Sequence, residues 1–149
     1  MKLRALVLDD SRVMRNMVMQ SLNKTNLGEF EFTEAEDGED GIRKFDPETT
    51  DIVFVDWNMP NMNGIEFVRK VRRSGKTDHI PIIMVTSEKT MGKMEEALDR
   101  AGANAYITKP FTVDKLEKKL QKLVEGIAER RASPPAQKQG GFFSKLMGG

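Results

Sequence analysis

The sequence predicts an α/β fold in which a parallel sheet is covered by helices on both faces, and three observations predict it. Short runs of aliphatic and β-branched residues alternate with longer segments whose apolar residues recur every three or four positions, the pattern of strands alternating with helices. The run IVFV at 52–55 has no polar alternation, as a strand buried on both faces requires. Nearly every strand-like run stops abruptly on polar side chains, and right-handed crossovers would bring those tips to one edge of the sheet.

Residues 3–8 (LRALVL) form the first strand, stopped by Asp9, Asp10 and Ser11, with Ser11 placed to cap a helix. Val13, Met14, Met17, Val18 and Leu22 recur at helical spacing, so a helix is expected over 11–23. Asn26, Leu27 and Gly28 end that unit, and residues 30–35 alternate as a second strand would. A second helix over 37–45 carries Ile42 and Phe45 on one face and is weakened by Gly38 and Gly41, with Pro47 closing it. The third strand, 52–55, leads into Asp56 and a loop rich in Asn, Pro and Gly. Ile65, Val68 and Val71 mark a third helix ending near Ser74 and Gly75, and IPIIMV at 80–85 is a fourth strand with the tip Thr86, Ser87 and Glu88. Met91, Met94, Leu98 and Ala101 predict a fourth helix stopped by Gly102. NAYIT at 104–108 is a brief fifth strand before Lys109, Pro110 and Phe111, and Val113, Leu116, Leu120, Leu123, Val124 and Ile127 define the longest helix, over 112–131.

On this plan strands one, three, four and five deliver Asp9 and Asp10, Asp56, Thr86, and Lys109 to one edge. Three carboxylates within about 4 to 5 Å repel pairwise by roughly 3 to 4 kcal/mol at an effective dielectric near 20. Protonation with raised pKa values would relieve this, and so would a divalent cation; an all-oxygen ligand set suits Mg²⁺. Lys109 opposite the cation makes the second choice the better one, since metal plus lysine is a phosphoryl clamp. Asp56, alone on the most buried strand, is then the candidate nucleophile for an aspartyl phosphate, with Asp9 and Asp10 holding the cation and Thr86 and Lys109 holding phosphoryl oxygens. Each residue also has a plainer reading. Asp9 and Asp10 could cap the first helix, Thr86 could satisfy backbone, Lys109 could sit on the surface, and Tyr106 could be a half-buried strand aromatic. Trp57 reads as packing at the site edge, His79 as a loop residue, and the ten methionines as core filler, with Met91 and Met94 near a possible output face.

Bulk properties narrow the function. At 149 residues the chain is one domain with room for a tail, able to bury about two-thirds of its unfolded surface. It has no cysteine, which excludes thiolate chemistry and disulfides. Basic and acidic residues number 24 and 23, a balance that leaves no nucleic-acid footprint. No run of about 18 apolar residues offers a membrane span, and the opening MKLRALVLDD does not read as a signal peptide, so a cytoplasmic monomer is expected.

Five motifs occur in order: LVLDDS at 6–11, AEDG at 35–38, VDWNMPNMNG at 55–64, MVTSE at 84–88 and AGANAYITKPF at 101–111. By these the chain resembles the receiver domain of two-component response regulators, most closely those of chemotaxis, over residues 2 to about 124. The resemblance implies a flavodoxin-like, doubly wound sheet of order 2-1-3-4-5 with five helices. It implies Asp56 as phosphoacceptor, with Mg²⁺ held by Asp9, Asp10, Asp56 and the backbone carbonyl of Asn58. It further implies Thr86 and Lys109 on the phosphoryl group, a cis Lys109–Pro110 peptide, Thr86 and Tyr106 as the switch pair, and Asn58 and Glu88 as residues that tune hydrolysis of the acyl phosphate.

Residues 1–131 are thus expected to form the receiver domain and 132–149 a flexible linker with a short apolar peptide. Pro134 and Pro135 break the last helix, and Phe142, Phe143, Leu146 and Met147 lie between glycine pairs as a possible tethered docking motif. The expected function is a stand-alone switch that accepts phosphate from a histidine kinase and binds a target such as a flagellar motor switch protein, rather than an enzyme acting on a third party. A phosphorelay intermediate, or an adaptor docked to a scaffold through the tail, is the alternative. An Mg²⁺ phosphohydrolase is disfavoured, because Asn58 stands two residues after Asp56, where a proton-donating acid would be needed.

Overall fold

The computed structural model describes residues 1–132; the proposed docking residues Phe142, Phe143, Leu146 and Met147 lie outside the described residues. The strands are β1 (Lys2–Leu8), β2 (Glu29–Ala35), β3 (Ile52–Val55), β4 (Ile82–Thr86) and β5 (Ala105–Thr108). Between and after them come α1 (Arg12–Asn23), α2 (Gly38–Lys44), α3 (Gly64–Arg72), α4 (Met91–Glu95), which continues as a π-helical segment (Glu96–Ala101), and α5 (Val113–Ala132). All four strand pairings are parallel and the order is β2-β1-β3-β4-β5, the doubly wound arrangement expected.

The strand period of two explains how one sheet serves two cores. Leu6, Leu8, Val53, Val55, Ile82 and Met84 face the side where α3 and the π-helical segment contribute Phe67, Val68, Ala97 and Ala101. Ala5, Val7, Ile52, Phe54, Ile83, Val85 and Ile107 face the other side and meet Val18 and Leu22 of α1 and Leu116, Leu120, Val124 and Ile127 of α5. β3, buried at all four positions, is the central plank between these layers.

The helix ends follow local chemistry. Ser11 accepts from the Met14 N–H, Asp37 from the Asp40 N–H, and Asn63 and Glu66 form a reciprocal capping box on α3. Two expectations are corrected. β4 begins at Ile82 rather than residue 80, because Pro81 has no N–H to give a ladder; its carbonyl instead accepts from the Val53 N–H at 2.9 Å. The fourth helix is not α-helical throughout. From Glu96 it widens into π geometry, closed by the Gly102 N–H on the Ala97 carbonyl at 3.1 Å with Gly102 left-handed at φ +99°. Over six residues the apolar spacing of Leu98 and Ala101 fits either helix type, so the pattern could not separate them.

Candidate functional site

The site forms where β1, β3, β4 and β5 end. The Asp56 N–H donates to the Leu8 carbonyl at 3.0 Å and the Asp9 N–H to the Ala35 carbonyl at 3.1 Å, so both acids leave the sheet side by side. Asp9 is only 3% exposed. One of its oxygens accepts from the Ser11 N–H at 2.9 Å, and the other from Lys109 Nζ at 2.9 Å. Lys109, at the end of β5, also reaches Asp56 Oδ2 at 3.4 Å. Asp9, Asp10 and Asp56 each offer a carboxylate oxygen, and these lie within 4.8 Å of one another.

The loop after Asp56 turns back tightly on itself. The Trp57 N–H donates to Asp56 Oδ1 at 2.7 Å, and the Gly64 N–H to the Trp57 carbonyl at 2.9 Å. A Cβ at Gly64 would stand 2.0 Å from the Asp56 carbonyl oxygen, so only glycine lets α3 start this close to the acid.

Asp56 has its carboxyl pushed above the usual carboxylate range, first by burial and then by the charge of Asp9. The ammonium of Lys109, the Thr86 hydroxyl and the Trp57 N–H pull the other way without cancelling it. Within 4.8 Å of each other and at an effective dielectric near 20, Asp9 and Asp56 repel by roughly 3 kcal/mol or more. A hard divalent cation fits this oxygen-only donor set and would relieve that repulsion.

Thr86 is fully buried at the end of β4, lies near enough for its hydroxyl to favour the Asp56 carboxylate, and accepts from the Glu88 N–H at 3.3 Å. Asn58 and Glu88 stand on opposite sides of the site and meet, Asn58 Nδ2 donating to Glu88 Oε1 at 2.9 Å. Tyr106 is buried, not half-buried, and its hydroxyl donates to the Glu88 carbonyl at 2.8 Å. Burial, followed by the nearby charges of Glu88 and Asp56, pushes its phenol up to about 12. The Lys109–Pro110 peptide is cis.

The sequence-predicted residues Asp9, Asp10, Asp56, Thr86 and Lys109 therefore come together, with Asn58, Glu88 and Tyr106 forming a second, linked set beside them. Trp57 is buried as expected, and Lys93 Nζ lies 4.6 Å from its ring centroid. Met84 and Met59 are core residues, but Met91 is 74% exposed. Sequence reasoning missed two supports. Arg15 donates to the Asp9 carbonyl at 2.6 Å and to Glu34 at 2.9 Å, and Lys119 donates to the Tyr106 carbonyl at 2.8 Å. Arg15 sits one helical turn after Ser11, a spacing that could have flagged it; nothing in sequence singles out Lys119 among the lysines of α5.

Residues 5–121 match the response regulator receiver domain model. The chain is 42% identical over 120 residues to the chemotaxis protein CheY1 of Helicobacter pylori, covering 80% of this chain and 94% of that one. It is 41% identical over 136 residues to a chemotaxis protein CheY homolog of Campylobacter jejuni, covering 85% of this chain and 100% of that one. The solved structure of the Vibrio cholerae chemotaxis protein CheY4 superposes with a TM-score of 0.71 at 33% identity, covering 83% of this chain and 99% of that one. Among the described residues no helix is long and apolar enough to cross a membrane.

Proposed function

The chain belongs to the response regulator receiver family, and from that premise we propose that it is a phosphorylation-gated signalling switch whose phosphoacceptor is Asp56. The observation that carries this reading is a carboxylate, Asp56, beside two more acids and with Lys109 Nζ at 3.4 Å from it. An Asp56 oxygen attacks the phosphorus of a phosphohistidine on a partner kinase. The P–N bond breaks, the imidazole leaves with its electron pair, and an acyl phosphate forms on Asp56. Asp9, Asp10, Asp56 and the Asn58 carbonyl would hold Mg²⁺, which when bound supplies charge neutralisation for the phosphoryl oxygens. Lys109 offers its ammonium, and Thr86 its hydroxyl, to those same oxygens.

Output follows from the second set of residues. Thr86 lies beside Asp56 and accepts from the Glu88 backbone, and Glu88 carries Tyr106 on its carbonyl, so a change in what Thr86 bonds is passed to the surface of α4, β5 and α5. The chain acts by changing which partner it binds and catalyses only its own phosphorylation and dephosphorylation. Asn58 and Glu88, joined across the site, tune access of water to the acyl phosphate. The named relatives support chemotaxis as the pathway, and on this reading the phosphoryl donor is a histidine kinase and the target a motor-switch protein.

Incubation with acetyl phosphate and Mg²⁺ tests the assignment. Wild type takes up one phosphoryl group per chain and Asp56→Asn none; uptake by the variant at the wild-type rate overturns it.

A further inference from the structure

The loop between β3 and α3 is pinned by the start of α2. Asp37, at the start of α2, is 7% exposed, and its two oxygens have different partners. Oδ1 accepts from the Asp40 N–H at 2.8 Å, which is the helix cap. Oδ2 accepts from Asn61 Nδ2 at 2.7 Å, a bond across 24 residues that capping does not need. Asn61 holds φ at +67°, the one non-glycine residue among the described residues with positive φ, a conformation that a residue with a Cβ adopts at a cost. Next to it the Gly38 N–H donates to the Met62 carbonyl at 2.9 Å, and the Met62 N–H to the Pro60 carbonyl at 2.7 Å. The approach is so close that a Cβ on Gly38 would stand 2.5 Å from the Met62 oxygen.

The segment from Trp57 to Gly64 is thus held at its base by the Gly64 to Trp57 bond and at its apex by α2, with Asn58 between the two anchors. We propose that Asp37 and Asn61 form a clamp that positions the Asn58 backbone for cation binding, making both of them positioning residues of the metal site although neither belongs to its ligand set. This rests on the reading of Asp9, Asp10, Asp56 and the Asn58 carbonyl as the Mg²⁺ ligands. Without the clamp the free loop samples conformations in which the carbonyl is not presented, so the cation must first order it, and affinity falls by the fraction of time the loop is competent. Phosphoryl chemistry, once the cation is bound, is unchanged.

Trp57 is the single tryptophan, buried beside Asp56 and bonded to it through its N–H, which makes it the probe. Asn61→Gly keeps the left-handed conformation and removes the amide, while Asp37→Ser keeps a capping oxygen and removes the one that holds Asn61. Each variant is titrated with MgCl₂ by Trp57 fluorescence, with urea unfolding in EDTA run in parallel to show that it is folded. In both variants the Mg²⁺ dissociation constant is expected to rise about tenfold, the lower end of the range for residues that orient metal ligands. Phosphorylation by acetyl phosphate at saturating Mg²⁺ is expected to stay within about twofold of wild type. If wild type itself binds no Mg²⁺, the metal reading fails and the clamp with it. If wild type binds and both variants bind within about twofold of it, whatever their urea midpoints, the clamp alone is overturned and Asp37 is only a cap.

Discussion

Lys109→Met keeps an unbranched apolar stem and removes the ammonium that touches Asp9 at 2.9 Å and Asp56 at 3.4 Å. The three side chains are 11%, 5% and 13% exposed, so solvent screens these contacts weakly. At an effective dielectric near 20 the two attractions amount to roughly 5 to 6 kcal/mol each before desolvation is counted. Desolvation of the lysine cancels much of that, and removing one partner of a buried pair costs about 3 to 5 kcal/mol in practice. Because Asp56 is partly open and can take up a proton, the lower figure is the better one, so in EDTA the variant should be about 3 kcal/mol less stable than wild type. Mg²⁺ neutralises the same carboxylates, and at about ten times its dissociation constant it stabilises the folded state by roughly 1.4 kcal/mol. Lysine competes with it in wild type and not in the variant, so the gap between them should narrow in MgCl₂. Adding Asp56→Asn to Lys109→Met should recover part of the loss in EDTA, since one of the two orphaned charges is gone. Urea unfolding followed by Trp57 fluorescence measures each of these. Equal stability of Lys109→Met and wild type in EDTA, or a gap that does not narrow with Mg²⁺, would refute the account of the site as a self-repelling acid cluster held by one cation.

Two further outcomes follow. Asp56 has its folded carboxyl pKa raised above 3.8, so the folded state holds its proton more tightly than the unfolded chain, and this acid contributes stability that is lost as pH rises from 3.8 through the folded value. In EDTA the stability of Asp56→Asn relative to wild type should therefore grow with pH across that window, and a gap that stays flat from pH 4 to 8 would contradict the assignment. Arg72 donates to the Gly102 carbonyl at 3.0 Å, the Ile80 carbonyl at 2.8 Å and Asn104 Oδ1 at 2.7 Å, and also to the Thr77 carbonyl, tying α3 to the segments that lead into β4 and β5, at the edge of the sheet away from the site. Arg72→Met should lower the unfolding free energy by about 3 kcal/mol with the phosphorylation rate unchanged, and a loss below about 1 kcal/mol would show that water replaces those bonds.

The strands and helices were legible because they depend on local pattern. IVFV reads as a strand buried on both faces, and Ser11, Asp37 and Asn63 read as starts of helices, since capping involves atoms three residues apart. Where local pattern failed, the cause was equally local. Pro81 lacks a donor, and the short π-helical segment has the same apolar spacing as an α-helix. The acids, hydroxyl and lysine of the site could be collected from sequence because each directly follows a strand, and parallel strands point their ends the same way.

What sequence alone determined, then, is which residues arrive at the sheet edge. Which of them touch is a separate matter, set by contacts between segments far apart in the chain. The lysine at 109 finds Asp9 across 100 residues, Asn58 finds Glu88 across 30, and Asn61 finds Asp37 across 24. Such bonds depend on the twist of the sheet, the close approach that Gly38 and Gly64 permit, and the competition of several donors for one carboxylate. No one-dimensional pattern encodes that competition, because its outcome is decided by distances that exist only once both cores have formed.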